Sequence, residues 1–385
     1  MKEGLRTARR FSLGAFLAAI VFGAVLLSGC SLLVDAPPSS APPVEPLGLR
    51  LTAALRSKDS AAFLALFDSS THAQADGTRL FANLSKFASA ELGAATPVKG
   101  DGELYSEMIK ATWRVTADAL GNEKAVKFSI TGPEVSAKIT SVVVATDSPL
   151  WARTDIDVVT EDDVTVVSDH AMASVVPRFT AAGAFALKAV AKQGFGDLTS
   201  AWDGRLVLQI PGSSAVWEGV LGAAPGSLAA IGGVTSFAGS DTGSEAQVFI
   251  NPVVARRAGV DEANALITHE AVHVATGALD SPAPKWMTEG LAESVAAASV
   301  TPYTQRSKAV LREWFSTHPL PTDYPSNADF AADSKSLDAA YSLAQVAIDT
   351  SLSKTGKPAT YAMIASGEPP TKLLSPYLAA LAKLR

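Results

Sequence analysis

Apolar and polar positions change pattern several times along the chain, and each change predicts a different kind of segment. From Phe11 to Leu27 the sequence is almost continuously apolar, behind the basic residues Lys2, Arg6, Arg9 and Arg10. A run of that length with that flank suits the core of an export signal better than a membrane span. Between Asp35 and Gly48 the residues Pro37, Pro38, Pro42, Pro43 and Pro46 predict an extended, stiff tether. Periodicity then begins. Leu51, Leu55, Phe63, Leu64 and Phe67 recur at helical spacing, and strand-like stretches follow at 112–117, 125–130 and 139–145. This reads as a small α+β domain over 49–153, in which no chemistry can be assigned.

A second domain, 154–385, opens with a predicted hairpin, 156–159 and 164–167, around the acidic turn Glu161-Asp162-Asp163. A helix near 178–192 follows. The stretches 205–210 and 246–250 are apolar and end in Pro211 and Asn251-Pro252, as strands entering turns do. From Asp261 onward the pattern is nearly all helical. Strands first and helices later, without βαβ alternation, predict an α+β fold with a small β-sheet and a mostly helical C-terminal half.

Composition narrows the picture. At 385 residues, 48% hydrophobic and 18% charged, the chain suffices for about two globular domains and is too apolar to be disordered. Its one cysteine, Cys30, allows no internal disulfide, so a metal site must draw on imidazole and carboxylate ligands. The segment Leu27-Ser28-Gly29-Cys30 resembles the bacterial lipobox. That resemblance implies a lipoprotein signal peptide over 1–29, lipidation of Cys30, a tether over 30–48, and a membrane-anchored protein on the extracytoplasmic face. Removing residues 1–29 takes away four basic groups and one acid, moving the net charge from −6 to −9. No basic cluster remains for nucleic acid. The helices-then-strands order of 49–153 resembles NTF2-like or cystatin-like modules.

The chemistry concentrates in His269-Glu270-Ala271-Val272-His273, within a helix predicted to be capped by Asp261 and ended by Gly277. Histidines four apart stack on one helix face and can aim ring nitrogens at a single ion. Glu270, roughly 100° round the helix, can reach a water without entering the ion's ligand shell. A second helix follows after Asp280-Ser281-Pro282-Ala283-Pro284, carrying Lys285-Trp286-Met287-Thr288-Glu289-Gly290-Leu291-Ala292-Glu293. Together these segments resemble the gluzincins, the peptidase MA-like zinc metallopeptidases, in the form found in actinobacterial exported lipoproteins.

The resemblance implies one Zn2+ per chain held by His269, His273 and Glu289, with Glu270 as general base. It further implies that Glu293 hydrogen-bonds a zinc-bound histidine. Tyr341, on a predicted helix over 337–348, is the candidate oxyanion donor, because related gluzincins use a tyrosine or histidine from a later helix. Tyr303, Tyr324 and His318 stand behind it, His72 and His170 lie outside the motif, and Trp286 reads as a packing residue. Fifteen residues separate His273 from Glu289, a shorter interval than in the large aminopeptidases, and no Gly-x-Met-Glu-Asn element precedes the motif. The expected function is hydrolysis of a peptide or protein substrate, with cell-wall peptide bonds as a variant. The alternative is a lipid-anchored binding or accessory lipoprotein with a non-catalytic zinc site.

Overall fold

The computed structural model describes residues 45–98, 104–133, 136–199, 202–237, 245–369 and 371–385. These belong to one compact unit, Val44–Arg385. The export leader, the lipobox with Cys30 and most of the tether lie outside the described residues. No helix among the described residues is long and apolar enough to cross a membrane.

The first half is built from helices α1 (Leu47–Arg56), α2 (Ser60–Leu64) and α3 (Thr71–Leu84), then strands β1 (Ser89–Val98), β2 (Leu104–Arg114), β3 (Asn122–Thr131) and β4 (Lys138–Val143). The strands form an antiparallel meander in chain order. Leu51, Phe63 and Leu80 from the helices and Phe67 from the turn after α2 pack with Ile109, Trp113, Phe128 and Ile130 from the sheet into one core. β2 begins earlier and ends earlier than its periodicity suggested. β1 carries no strand signal because Ser-Ala-Glu-Leu-Gly-Ala-Ala-Thr-Pro-Val has few β-branched or aromatic residues. Pairing with β2, through an irregularity between Leu92 and Ala95, makes it a strand.

A short helix α4 (Leu150–Arg153) leads into the second half, made of β5 (Ile156–Glu161), β6 (Val164–Asp169), α5 (Val176–Ala191), β7 (Leu206–Ile210), α6 (Ser214–Val220), β8 (Gly233–Phe237) and β9 (Ala246–Ile250). Six further helices complete it: α7 (Pro252–Arg257), α8 (Val260–Thr276), α9 (Lys285–Ser299), α10 (Thr301–Thr317), α11 (Leu337–Ser366) and α12 (Thr371–Ala382). The class is α+β, as expected, with two small sheets and a helical C-terminal half. The second sheet has the order β5-β6-β7-β9-β8. The expected hairpin β5–β6 is present, but β6 and β7 run parallel and are joined through α5. That βαβ crossover corrects the expectation of none. Its signal was hidden because β6 and β7 are buried along their whole length, so they read as apolar runs without a facing pattern.

One face of this sheet sends Val164, Val166, Leu206, Leu208, Val248 and Ile250 into the core beneath α5 and α8. The opposite face sends Val167 and Val207 into the core of the first half. Polar residues share that second face. The Gln209 amide donates to Gln247 Oε1 (2.5 Å), and the Gln247 amide faces both Asn122 of β3 and Glu245. Burial, then the nearby Asp203 carboxylate, pushes Glu245 up to about 7 from its ordinary 4.5. A carboxyl whose pKa is raised on folding binds protons better in the folded chain, so stability falls as pH rises from 4.5 to 7. Glu245→Gln should therefore leave stability unchanged at pH 4 and raise it by about 2 kcal/mol at pH 8, after discounting for partial exposure. Denaturant unfolding at the two pH values measures the difference.

Helix α8 starts at Val260, where the extended Gly259 donates its N–H to the Glu262 carboxylate (3.2 Å). Asp261, the expected cap, instead lies inside the first turn. Gly277 ends the helix in the left-handed region (φ 61°), where glycine carries no Cβ penalty. α9 packs against both α8 and α11. At Gly290 a Cβ would stand 2.4 Å from the carbonyl oxygen of Ala344, so only glycine lets the α9 and α11 backbones meet there. Trp286 is buried and stacks on Tyr324 with ring centroids 4.2 Å apart, the packing role expected of it. The predicted helix 337–348 is the first part of α11, which continues to Ser366 with a break at Gly356 (φ 80°).

Candidate metal centre

Helix α8 is apolar on most sides because it crosses the core, with Ala263, Ile267, Ala271, Val272 and Ala275 all buried. Its polar residues are therefore placed by packing. His269 and His273, one turn apart, stand edge to face with ring centroids 4.7 Å apart and an interplanar angle of 78°. Their Nε2 atoms are 3.0 Å apart. α9 is held by buried Trp286, Met287 and Leu291 on the same core, and it brings Glu289 Oε2 to 3.2 Å from His269 Nε2 and 3.1 Å from His273 Nε2. Three atoms from two helices thus converge on one point, and this group could hold a metal ion.

One turn beyond Glu289, Glu293 Oε1 lies 3.1 Å from His269 Nδ1. A carboxylate accepting at Nδ1 leaves Nε2 as the acceptor nitrogen of the neutral ring, the orientation a metal ligand requires. The same Glu293 oxygen accepts a hydrogen bond from the Tyr303 hydroxyl (2.9 Å). Tyr303, at the start of α10, was a minor candidate in the sequence. Nothing in its spacing reveals that α10 folds back over Glu293.

Without a cation, the site is electrostatically demanding. Burial opposes a positive charge on His269, yet hydrogen bonds to Glu289 and Glu293 and the fields of Glu293 and Glu270 outweigh it and hold its pKa well above the ordinary value. Burial likewise opposes the charge on Glu289, but His273 and His269 outweigh it and depress its pKa strongly. Three carboxylates around two imidazoles make a pocket that gains by taking up positive charge.

Glu270 sits beside this group and is 5% exposed. Its Oε2 accepts a hydrogen bond from the Thr235 hydroxyl of β8 (2.7 Å). A cavity of about 400 Å³ opens onto His269 and Glu270, with Gly233, Leu266, Tyr303 and Tyr341 among its walls. Tyr341 presents its ring edge-on to His269 at 5.8 Å between centroids and packs against Phe330. Burial, then the fields of Glu289, Glu270 and Glu293, push its pKa far up, so the hydroxyl stays a neutral donor. His72, His170 and His318 do not join the cavity. They lie beside Asp76, beside Asp157 and stacked on Trp314 respectively. Tyr324 is taken up by the Trp286 stack.

The sequence thus foretold His269, Glu270, His273, Glu289, Glu293 and Tyr341 as neighbours, and the fold brings all six together. It gave no sign of Thr235, because the short Gly-Val-Thr-Ser-Phe segment of β8 has neither length nor alternation enough to read as a strand. Compared with known proteins, the chain matches no family model and none of the curated proteins.

Proposed function

We propose that this chain is a zinc-dependent metallopeptidase, anchored by lipid on Cys30 at the extracytoplasmic face of the cell membrane, that hydrolyses peptide bonds of a peptide or protein substrate. The observation that carries the reading is the convergence of His269, His273 and Glu289 next to a carboxylate, Glu270, that lines a cavity together with His269. The lipid anchor rests on the sequence of the leader.

The donor set suits zinc. Two imidazoles and a carboxylate are ligands this ion takes readily, and tetrahedral zinc with bonds of about 2.0–2.1 Å sets its ligand atoms about 3.3 Å apart. The three donor atoms here are separated by 3.0, 3.1 and 3.2 Å. When bound, zinc supplies a Lewis acid that brings a water's proton loss into the neutral range and polarises a carbonyl. Glu270 takes the proton of the attacking water and passes it to the leaving nitrogen. Glu293 holds His269 in the ligand tautomer, and Tyr303 holds Glu293. The neutral Tyr341 hydroxyl donates toward the oxyanion that develops as the carbonyl is attacked.

The test is hydrolysis of a diverse peptide library by zinc-loaded protein, repeated after chelation and after zinc is restored. Cleavage that disappears on chelation and returns with zinc is expected. Zinc-replete protein that cleaves nothing in the library overturns the peptidase reading and leaves the lipid-anchored binding protein in its place.

A further inference from the structure

The general base is held by a strand that the metal helices do not include. Gly233 and Thr235 are two apart in β8, so both face the same side of the sheet, toward α8. Thr235 is 8% exposed, and its hydroxyl lies 2.7 Å from Glu270 Oε2 and 3.3 Å from the Glu270 carbonyl oxygen. Both neighbours are acceptors, so the hydroxyl must donate, and the shorter contact gives the proton to the carboxylate. On the other oxygen the strand does the opposite and stands clear. A Cβ at Gly233 would come within 3.1 Å of Glu270 Oε1 and 3.3 Å of its Cγ. Glu270 and Gly233 line the cavity, whereas Thr235 does not.

We propose that β8 is the seat of the general base: Thr235 pins Oε2, the missing side chain at Gly233 makes room for Oε1, and Oε1 is thereby the oxygen that exchanges protons with substrate and water. The inference rests on reading Glu270 as the base. Thr235 and Gly233 are positioning residues, acting only through Glu270. A glutamate has three torsions to fix before one of its oxygens points at a given proton. A buried strand supplies that constraint without contributing a ligand. Misplacement by about 1 Å can cost a hundredfold in rate, so a pinned carboxylate differs measurably from a free one.

The test uses the full chain loaded with zinc, as wild type, Thr235→Val, Thr235→Ser and Gly233→Ala. Valine keeps the shape of threonine without its hydroxyl, and serine keeps the hydroxyl without the methyl. With a peptide that wild type cleaves, Thr235→Val is expected to retain its zinc and its KM within about twofold while kcat falls about 10- to 100-fold. Thr235→Ser should recover kcat to within about threefold of wild type. Gly233→Ala, which crowds Oε1, should lower kcat in the same direction with zinc retained. Crystals of zinc-loaded Thr235→Val should show the Glu270 carboxylate turned away from its wild-type position or spread over several rotamers. An unmoved Glu270 with undiminished kcat overturns the proposal. So does a Thr235→Ser variant as impaired as Thr235→Val, because the effect would then belong to the packing of the methyl group. If wild type cleaves nothing, the peptidase reading fails, and the position of Glu270 in the variant crystals still decides whether Thr235 holds it.

Discussion

Glu289→Ala should leave a folded protein that no longer retains zinc. The carboxylate contributes one of three donors, and about a third of the 10–16 kcal/mol typical of a structural zinc site is on the order of 4 kcal/mol, a loss of roughly a thousandfold in affinity. The fold should survive, because α9 is held by Trp286, Met287, Leu291 and Val295 in the core and not by Glu289. Metal content by mass spectrometry, with circular dichroism as the control for folding, measures the outcome. One zinc per chain in wild type and none in the variant is the expected pair of values. Zinc retained in Glu289→Ala removes Glu289 from the ligand set, and no zinc in wild type after reconstitution removes the metal centre itself.

Glu270→Gln separates binding from catalysis. Glutamine has nearly the same shape, and its amide oxygen can still accept the hydrogen bond that Thr235 now gives to Oε2 at 2.7 Å. Zinc should remain at its wild-type stoichiometry, since Glu270 is not among the three converging donors. Hydrolysis should fall about 10²- to 10⁴-fold, the range in which a positioned general base contributes. An unaltered rate would take Glu270 out of the mechanism, whereas lost zinc would make it part of the metal's surroundings. Read together, the two variants distinguish a protein that cannot hold the ion from one that holds it and cannot move the proton.

The site was legible in the sequence where local periodicity alone decides the geometry. Histidines four apart on an apolar helix must share a face, and the helix carrying Glu289 and Glu293 returns within a short turn, so these residues followed from spacing and resemblance. What pattern could not show is whatever depends on pairing between distant segments. β1 and β8 are strands only because β2 and β9 offer them partners, and β6 and β7 conceal their parallel crossover because both of their faces are covered. Thr235 and Tyr303 reach their carboxylates over 35 and 10 residues of chain. The cap of α8 was missed for a local reason: Asp261 is a good cap residue, but Glu262 reaching back to Gly259 three residues earlier is the arrangement the chain adopts.

The strands β6 and β7 give residues to two cores at once, Val164, Val166, Leu206 and Leu208 to one and Val167 and Val207 to the other. Neither half can lose its order without stripping cover from the same strands. Loosening the front helices therefore propagates to the sheet on which α8 rests. Amide protons of β6 and β7 should exchange only in the global opening of the chain, with one common opening free energy. The helices of the candidate metal centre thus draw their rigidity in part from a layer of protein that supplies none of the converging donors.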